Sequence, residues 1–286
     1  MKHIDPYDLK KYEIRAYKDI QKWEKESYSG FHKKLQDSIS AIIEYGVKKV
    51  GEEKFQSVEN AIKVIVEKLL YASKFTVDSK RIIQKAHSHG MSINDISDLQ
   101  HSYLKILDDC NQSDINFHIK SATLHGAVAG IGGELLATVD LTTLLIQDFN
   151  MIQNIAYCYA FDPDNLIEKQ IILKIIEGGI GGTDIKFSVL NDIDLLKKEI
   201  KKQDTHQKMT LVTTKFLDRY VKSLAAAMIV RILSCSLPII SMAISAHSNH
   251  EIIKNSSEIG LMVYRKRFIE RKREKERKQL ENEYEL

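Results

Sequence analysis

Histidines and carboxylates close together are the raw material of metal sites and proton transfer, and this chain offers two such groups. His87 and His89 form an HxH, followed by Asp108, Asp109, His118 and His125. No pair among them has the i,i+4 ligand spacing of a helical zinc site. His247, His250 and Glu251 fall within one helical turn, in an order that matches neither HExxH nor HxxEH. Gly178-Gly179-Ile180-Gly181-Gly182 lacks the Gly-Lys-Ser/Thr ending of a phosphate loop, and no GxGxxG follows a strand. Cys110, Cys158 and Cys235 are odd in number and far apart, so they read as thiols in a reducing compartment, with Cys158 and Cys235 in apolar surroundings. The residues name no catalytic group, no metal ligands and no cofactor, and a non-enzyme is the favoured reading.

A different pattern stands out. Gly126, Gly133, Asp140, Gln147 and Asn154 are separated by seven residues each, and Thr143 and Asn150 extend the same helical face. Short amides and hydroxyls suit buried hydrogen bonding better than the Lys and Glu of an ordinary solvated face. Two readings stay open: a thin wet face on an amphipathic helix, or a buried polar seam lining a cavity or ordering helix partners. In the second, Asp140 needs a cation, and Arg231 in the other long apolar segment is the natural candidate.

These residues need elements to carry them. The 286 residues are 43% hydrophobic and 28% charged with only three prolines, the profile of a folded helical protein. Leu9, Tyr12, Ala16, Ile20 and Trp23 make one apolar helical face, and Ile62, Ile65, Val66 and Leu69 make another. Ser92 and Asp95 open a helix through Leu99, Tyr103 and Ile106, and 111–116 reads as a polar loop. Asp162-Pro163 starts a further helix. The glycines at 178–182 read as a flexible break. Leu211 to Leu233 and Pro238 to Ile253 read as two packed helices. The expectation is an all-α, multi-helix bundle of roughly ten helices with a charged C-terminal helical extension. It forms a single domain over 1–264, with halves 1–177 and 183–264 around the glycine break, and a basic tail over 265–286.

The N-terminus lacks the apolar core of a signal peptide. Ser121 to Ile146 and Ser223 to Ala246 approach spanning length, but the first carries Glu134 and Asp140 and the second Arg231, so both read as buried core helices. The chain has 42 basic and 39 acidic residues, too even a balance for a dedicated nucleic-acid binder. Arg265 to Lys278 holds nine basic and three acidic residues, which reads as an exposed helical extension, either a solvated charged tail or a basic contact with anionic lipid at a membrane surface.

The block Ala122-Thr123-Leu124-His125-Gly126-Ala127-Val128-Ala129-Gly130-Ile131-Gly132-Gly133, continuing through Val139-Asp140-Leu141 and Gln147 to Tyr157-Cys158-Tyr159 and Phe161-Asp162, resembles the hallmark of the EcsC family. Tyr12-Glu13 with Trp23, and Pro238, Asn249 and Tyr264-Arg265-Lys266-Arg267-Phe268, resemble its two ends. Ala160 departs from the pattern, standing where the family has Gly after Tyr, so the helix is expected to run on toward Asp162. The family takes its name from a protein encoded beside an ATP-binding-cassette (ABC) transporter linked to secretion and membrane-embedded proteolysis, and it brings no catalytic residues. The resemblance marks Gly126, Gly130, Gly132, Gly133, Asp140, Gln147 and Asn249 as determinants. It implies a cytoplasmic accessory protein, peripheral at the inner face of the membrane, with ABC transporter components as partners. The alternative is a hydrolase, or a lipid- or small-molecule-binding helical module, built on the polar seam around Asp140.

Overall fold

The computed structural model describes residues 6–28, 44, 47–48, 50–71, 79–129, 133–181, 189–196, 217–218, 220–226, 229 and 238–284, with backbone alone for 6, 27–28, 71, 123–129, 133–141, 181, 238–248 and 284. Every regular element among them is helical, so the chain is the all-α bundle its periodicity predicts. The elements with defined ends are α1 (Pro6–Tyr28), α2 (Glu52–Tyr71), α3 (Ser79–Ser88), a 3-10 turn (Ile96–His101), α4 (Leu104–Ala129), α5 (Gly133–Cys158), α6 (Leu166–Gly181) and α7 (Pro238–Tyr284). No helix among the described residues is long and apolar enough to cross a membrane.

Helix α6 is the axis of the bundle. Every residue from 167 to 179 is buried, which is what a helix rich in Ile on all sides requires. Its neighbours are α7, α5 and α2. Helix α7 runs 47 residues, so the helix expected to stop near Ile253 continues to Tyr284. Phe268 and Ile269 are buried. The expected boundary at 264/265 therefore falls inside a continuous, packed helix.

Local chemistry explains four further differences. Asp95 caps the 3-10 turn by accepting from Ser97 N at 2.8 Å, and Asp98 answers as the third residue of the box, so α4 begins only at Leu104. Residues 111–116 lie within α4 and form no loop. Asn111 is buried there, its amide donating to Leu107 O at 3.0 Å. Asn165, two residues after Pro163, caps α6 by accepting from Ile167 N at 2.9 Å. Finally, 178–181 are the last turn of α6 and make no break there. A Cβ at Gly179 would overlap Ser256 and lie 2.8 Å from its backbone nitrogen, so this glycine lets α6 and α7 touch.

Helix α5 stops at Cys158 and does not run on to Asp162. Ala160 closes it with φ +56°, while Phe161 N donates back to Ala156 O at 3.0 Å. An L side chain in that left-handed region costs roughly 1–2 kcal/mol. Ala160→Gly is accordingly expected to raise unfolding stability by about 1 kcal/mol, read as a higher Tm. An unchanged or lower Tm would show that the Ala160 methyl contributes more by packing than its conformation costs.

Candidate functional site

The residues singled out by pattern fall in unequal surroundings. Gly126, Gly133 and Asp140 lie on α4 and α5 where only the backbone is described, and Gly130, Gly132 and Arg231 lie outside the described residues. The Asp140–Arg231 pairing thus falls beyond what is described. Along α5, Thr143 is exposed, while Gln147, Asn150 and Asn154 are half-buried. Gln147 donates to His118 O at 2.8 Å and so ties α5 to α4. Asn249 is fully buried on α7. His87 Nε2 meets Ile93 O at 2.6 Å and His89 Nδ1 meets Lys85 O at 2.9 Å. Both histidines are held by backbone carbonyls, and no group of three potential metal ligands exists among the described residues. The Cys110 thiol is pushed up to about 11 and that of Cys158 higher still, burial being the main cause in both.

Lys174 of α6 is closed on Glu177 and on Asp192 at 2.9 Å, and Asp114 of α4 takes Arg81 and Lys85 of α3. The other buried charges are organised into clusters centred on α7. Asp108 of α4 accepts from Arg265 Nε at 2.9 Å, from Tyr12 OH at 2.8 Å, and from Tyr159 OH. Within the same turn of α7, Glu168 of α6 takes Tyr264 OH at 2.7 Å and both terminal nitrogens of Arg267, the Nη2–Oε2 contact being 2.8 Å. Arg267 lies over the Phe161 ring, 4.0 Å from its centroid. Arg271 donates to the carbonyls of Tyr159 and Ala160, both at 2.7 Å. Lys266 pairs with Glu24 and Lys272 with Glu13, each at 2.7 Å, so the same helix also holds α1. Trp23 Nε1 adds a bond to Glu258.

The basic run therefore divides in two. Its first two turns are turned inward and paired. Beyond them residues 273–283 are exposed, although Arg273 still stacks on Tyr17, 4.0 Å from its ring centroid, and Lys275 donates to Gln100 at 2.6 Å, so the helix clears the bundle only past Lys275. From 274 to 284, Lys275, Arg277 and Lys278 stand against Glu274, Glu276, Glu281 and Glu283, so the projecting end carries a mixed charge.

One buried polar group differs from these clusters. Asp148 sits at a core position of α5, in step with Leu144, Leu145, Ile152 and Ile155, and is fully buried. Ser256 Oγ of α7 donates to its Oδ2 at 2.7 Å, whereas Oδ1 has no hydrogen-bond partner among the described residues. Burial raises its pKa to about 8. At neutral pH the group is mostly a neutral acid. It offers a hydrogen bond and is a poor base for activating Ser256. Asn249 lies seven residues before Ser256, on the same side of α7. Sequence reasoning passed over Asp148, although a lone carboxylate within the apolar register of Leu144, Leu145 and Ile152 was the available signal. Glu168 was missed, and Asp108 was weighed only beside the histidines, for a different reason: their partners lie 51 to 157 residues away.

The EcsC protein family matches residues 14–269 of this chain. The uncharacterized protein YdbA of Bacillus subtilis (strain 168) is 22% identical over 270 residues, which cover 91% of this chain and 94% of that protein. No solved structure matches.

Proposed function

This chain belongs to the EcsC protein family, and we propose that it acts without catalysis, as a helical accessory platform peripheral to the inner face of a membrane, beside machinery such as an ABC transporter. The observation that carries this reading is the bracing of α7. Ion pairs and aromatic stacking fasten its middle to α1, α4 and α6, and its exposed end past Lys275, a little over two turns, projects from the bundle. Acids and bases closed on one another at 2.7–2.9 Å are suited to holding a rigid strut. The mixed charge of the projecting end, with Leu280 exposed on it, suits a protein surface better than an anionic lipid.

Fractionation of cells carrying the chain at native level tests the membrane part. The protein is expected in the membrane pellet at low ionic strength and in the supernatant after a high-salt wash, since exposed charge contacts are screened within a Debye length. A protein that stays wholly in the supernatant at low ionic strength would overturn the reading.

A second reading, a binding module for a small molecule, is favoured by one observation: Asp148 Oδ1, buried and, on the neutral acid, open to an acceptor.

A further inference from the structure

Helix α1 has two faces of opposite character. Leu9, Ala16, Ile20 and Trp23 are buried against the bundle. The carboxylates flanking that inner face, Glu13 and Glu24, are neutralised by Lys272 and Lys266. At 100° per residue, the outer sector of about 120° is centred on Tyr7, Lys18 and Lys25. It also takes in Lys10, Lys11 and Lys22, and every one of these positions is exposed. Ile14 lies in the same sector, 50% exposed, and Tyr7 is 72% exposed. The outward acids Asp8, Asp19 and Glu26 fall at its margin, where Glu26 approaches Lys22 at 3.9 Å. The result is a ridge of five ammonium groups, free of carboxylates along its crest, with Ile14 between them and Tyr7 at its N-terminal end.

We propose that this outer face of α1 is the docking surface for a membrane of anionic phospholipid, the lysines meeting headgroup phosphates while Tyr7 and Ile14 enter the headgroup layer. The proposal rests on the peripheral reading above and moves the lipid contact from the end of α7 to α1. Charge complementarity selects the occupant. An array of lysines matches a dense, laterally mobile layer of phosphates, to which each ammonium adds independently. Exposed apolar residues among basic ones are the pattern of a helix lying in a lipid interface. A nucleic acid would give Ile14 nothing apolar to enter. The pairs that hold α1 to α7 keep the helix fixed, so the ridge is presented without ordering a segment on binding.

The test is flotation of the full-length protein with vesicles of phosphatidylcholine alone and of phosphatidylcholine with phosphatidylglycerol. Three proteins are compared: wild type, a Lys11→Glu, Lys18→Glu, Lys25→Glu variant, and an Arg277→Gln, Lys278→Gln variant. All the replaced side chains are exposed, so an unchanged Tm certifies the fold. The wild type is expected to float with the anionic vesicles alone. Reversal on α1 should lower the bound fraction at least about tenfold, and the change at the end of α7 should leave it within about twofold. Wild-type flotation that survives the α1 reversal but is lost in the α7 variant would overturn this proposal and leave the peripheral reading standing. Failure of the wild type to float on either lipid would overturn both. Tighter binding of short duplex DNA than of anionic vesicles through the same lysines would also overturn it.

Discussion

Glu168→Ala is expected to lower the unfolding free energy by on the order of 3–5 kcal/mol, read as a reduced urea midpoint at constant m. The carboxylate of Glu168 receives the Tyr264 hydroxyl and the Arg267 guanidinium in a site where the two charged side chains are 7% and 10% exposed. Removing it leaves a guanidinium and a phenol sheltered from water with no acceptor, and the stacking of Arg267 on Phe161 holds the cation there. The cost comes from the stranded donors, so replacing both partners is expected to restore much of the loss. Glu168→Leu with Arg267→Met should therefore be more stable than Glu168→Ala. A single variant within about 1 kcal/mol of wild type would show that Arg267 escapes to solvent and that the pair does not brace α7.

Asp148 is expected to make the protein less stable as pH rises. In the unfolded chain its carboxyl ionises at its ordinary value near 4, whereas burial holds it at about 8 in the fold. Between those two values the folded state retains a proton that the unfolded state has released, so unfolding stability falls with pH across that window and levels off above it. The full loss is on the order of 5 kcal/mol. Asp148→Asn removes this contribution, so the difference in stability between variant and wild type should grow in the variant's favour from pH 4 to pH 8. A constant difference would show that Asp148 titrates normally and is already satisfied as an anion. The same residue tests the binding-module reading: a small molecule retained in native mass spectra of wild type and lost in Asp148→Leu would place a hydrogen-bonding partner at Oδ1, and identical spectra would remove that reading.

Much of the architecture was legible beforehand. The face of Leu9, Ala16, Ile20 and Trp23 is the face that is buried, and Ile62, Val66 and Leu69 are buried on α2 as their spacing requires. Such stripes are readable because helical periodicity is a local property, complete within a few turns of chain. Cap positions and helix ends were less legible. Asn165 displaced Pro163 as the start of α6, and Ala160 took the conformation in which the family pattern has glycine, because a helix end is decided by which orphan backbone groups find partners.

The polar sites were the least legible. The heptad of Gln147 and Asn154 pointed to a half-buried face of α5, while the fully buried carboxylate lay one residue on, at Asp148. Likewise, nine basic residues among the fourteen from Arg265 to Lys278 look like a free tail until Glu13, Glu24, Asp108 and Glu168 are brought to them from as far as 259 residues away. The sequence by itself determined the helical class, the buried stripes and the family. Only the tertiary structure decided which charges are paired inside and which remain for partners. Burial of apolar stripes follows from neighbours three and four residues apart, whereas neutralising a buried charge depends on whichever helix the fold places opposite it.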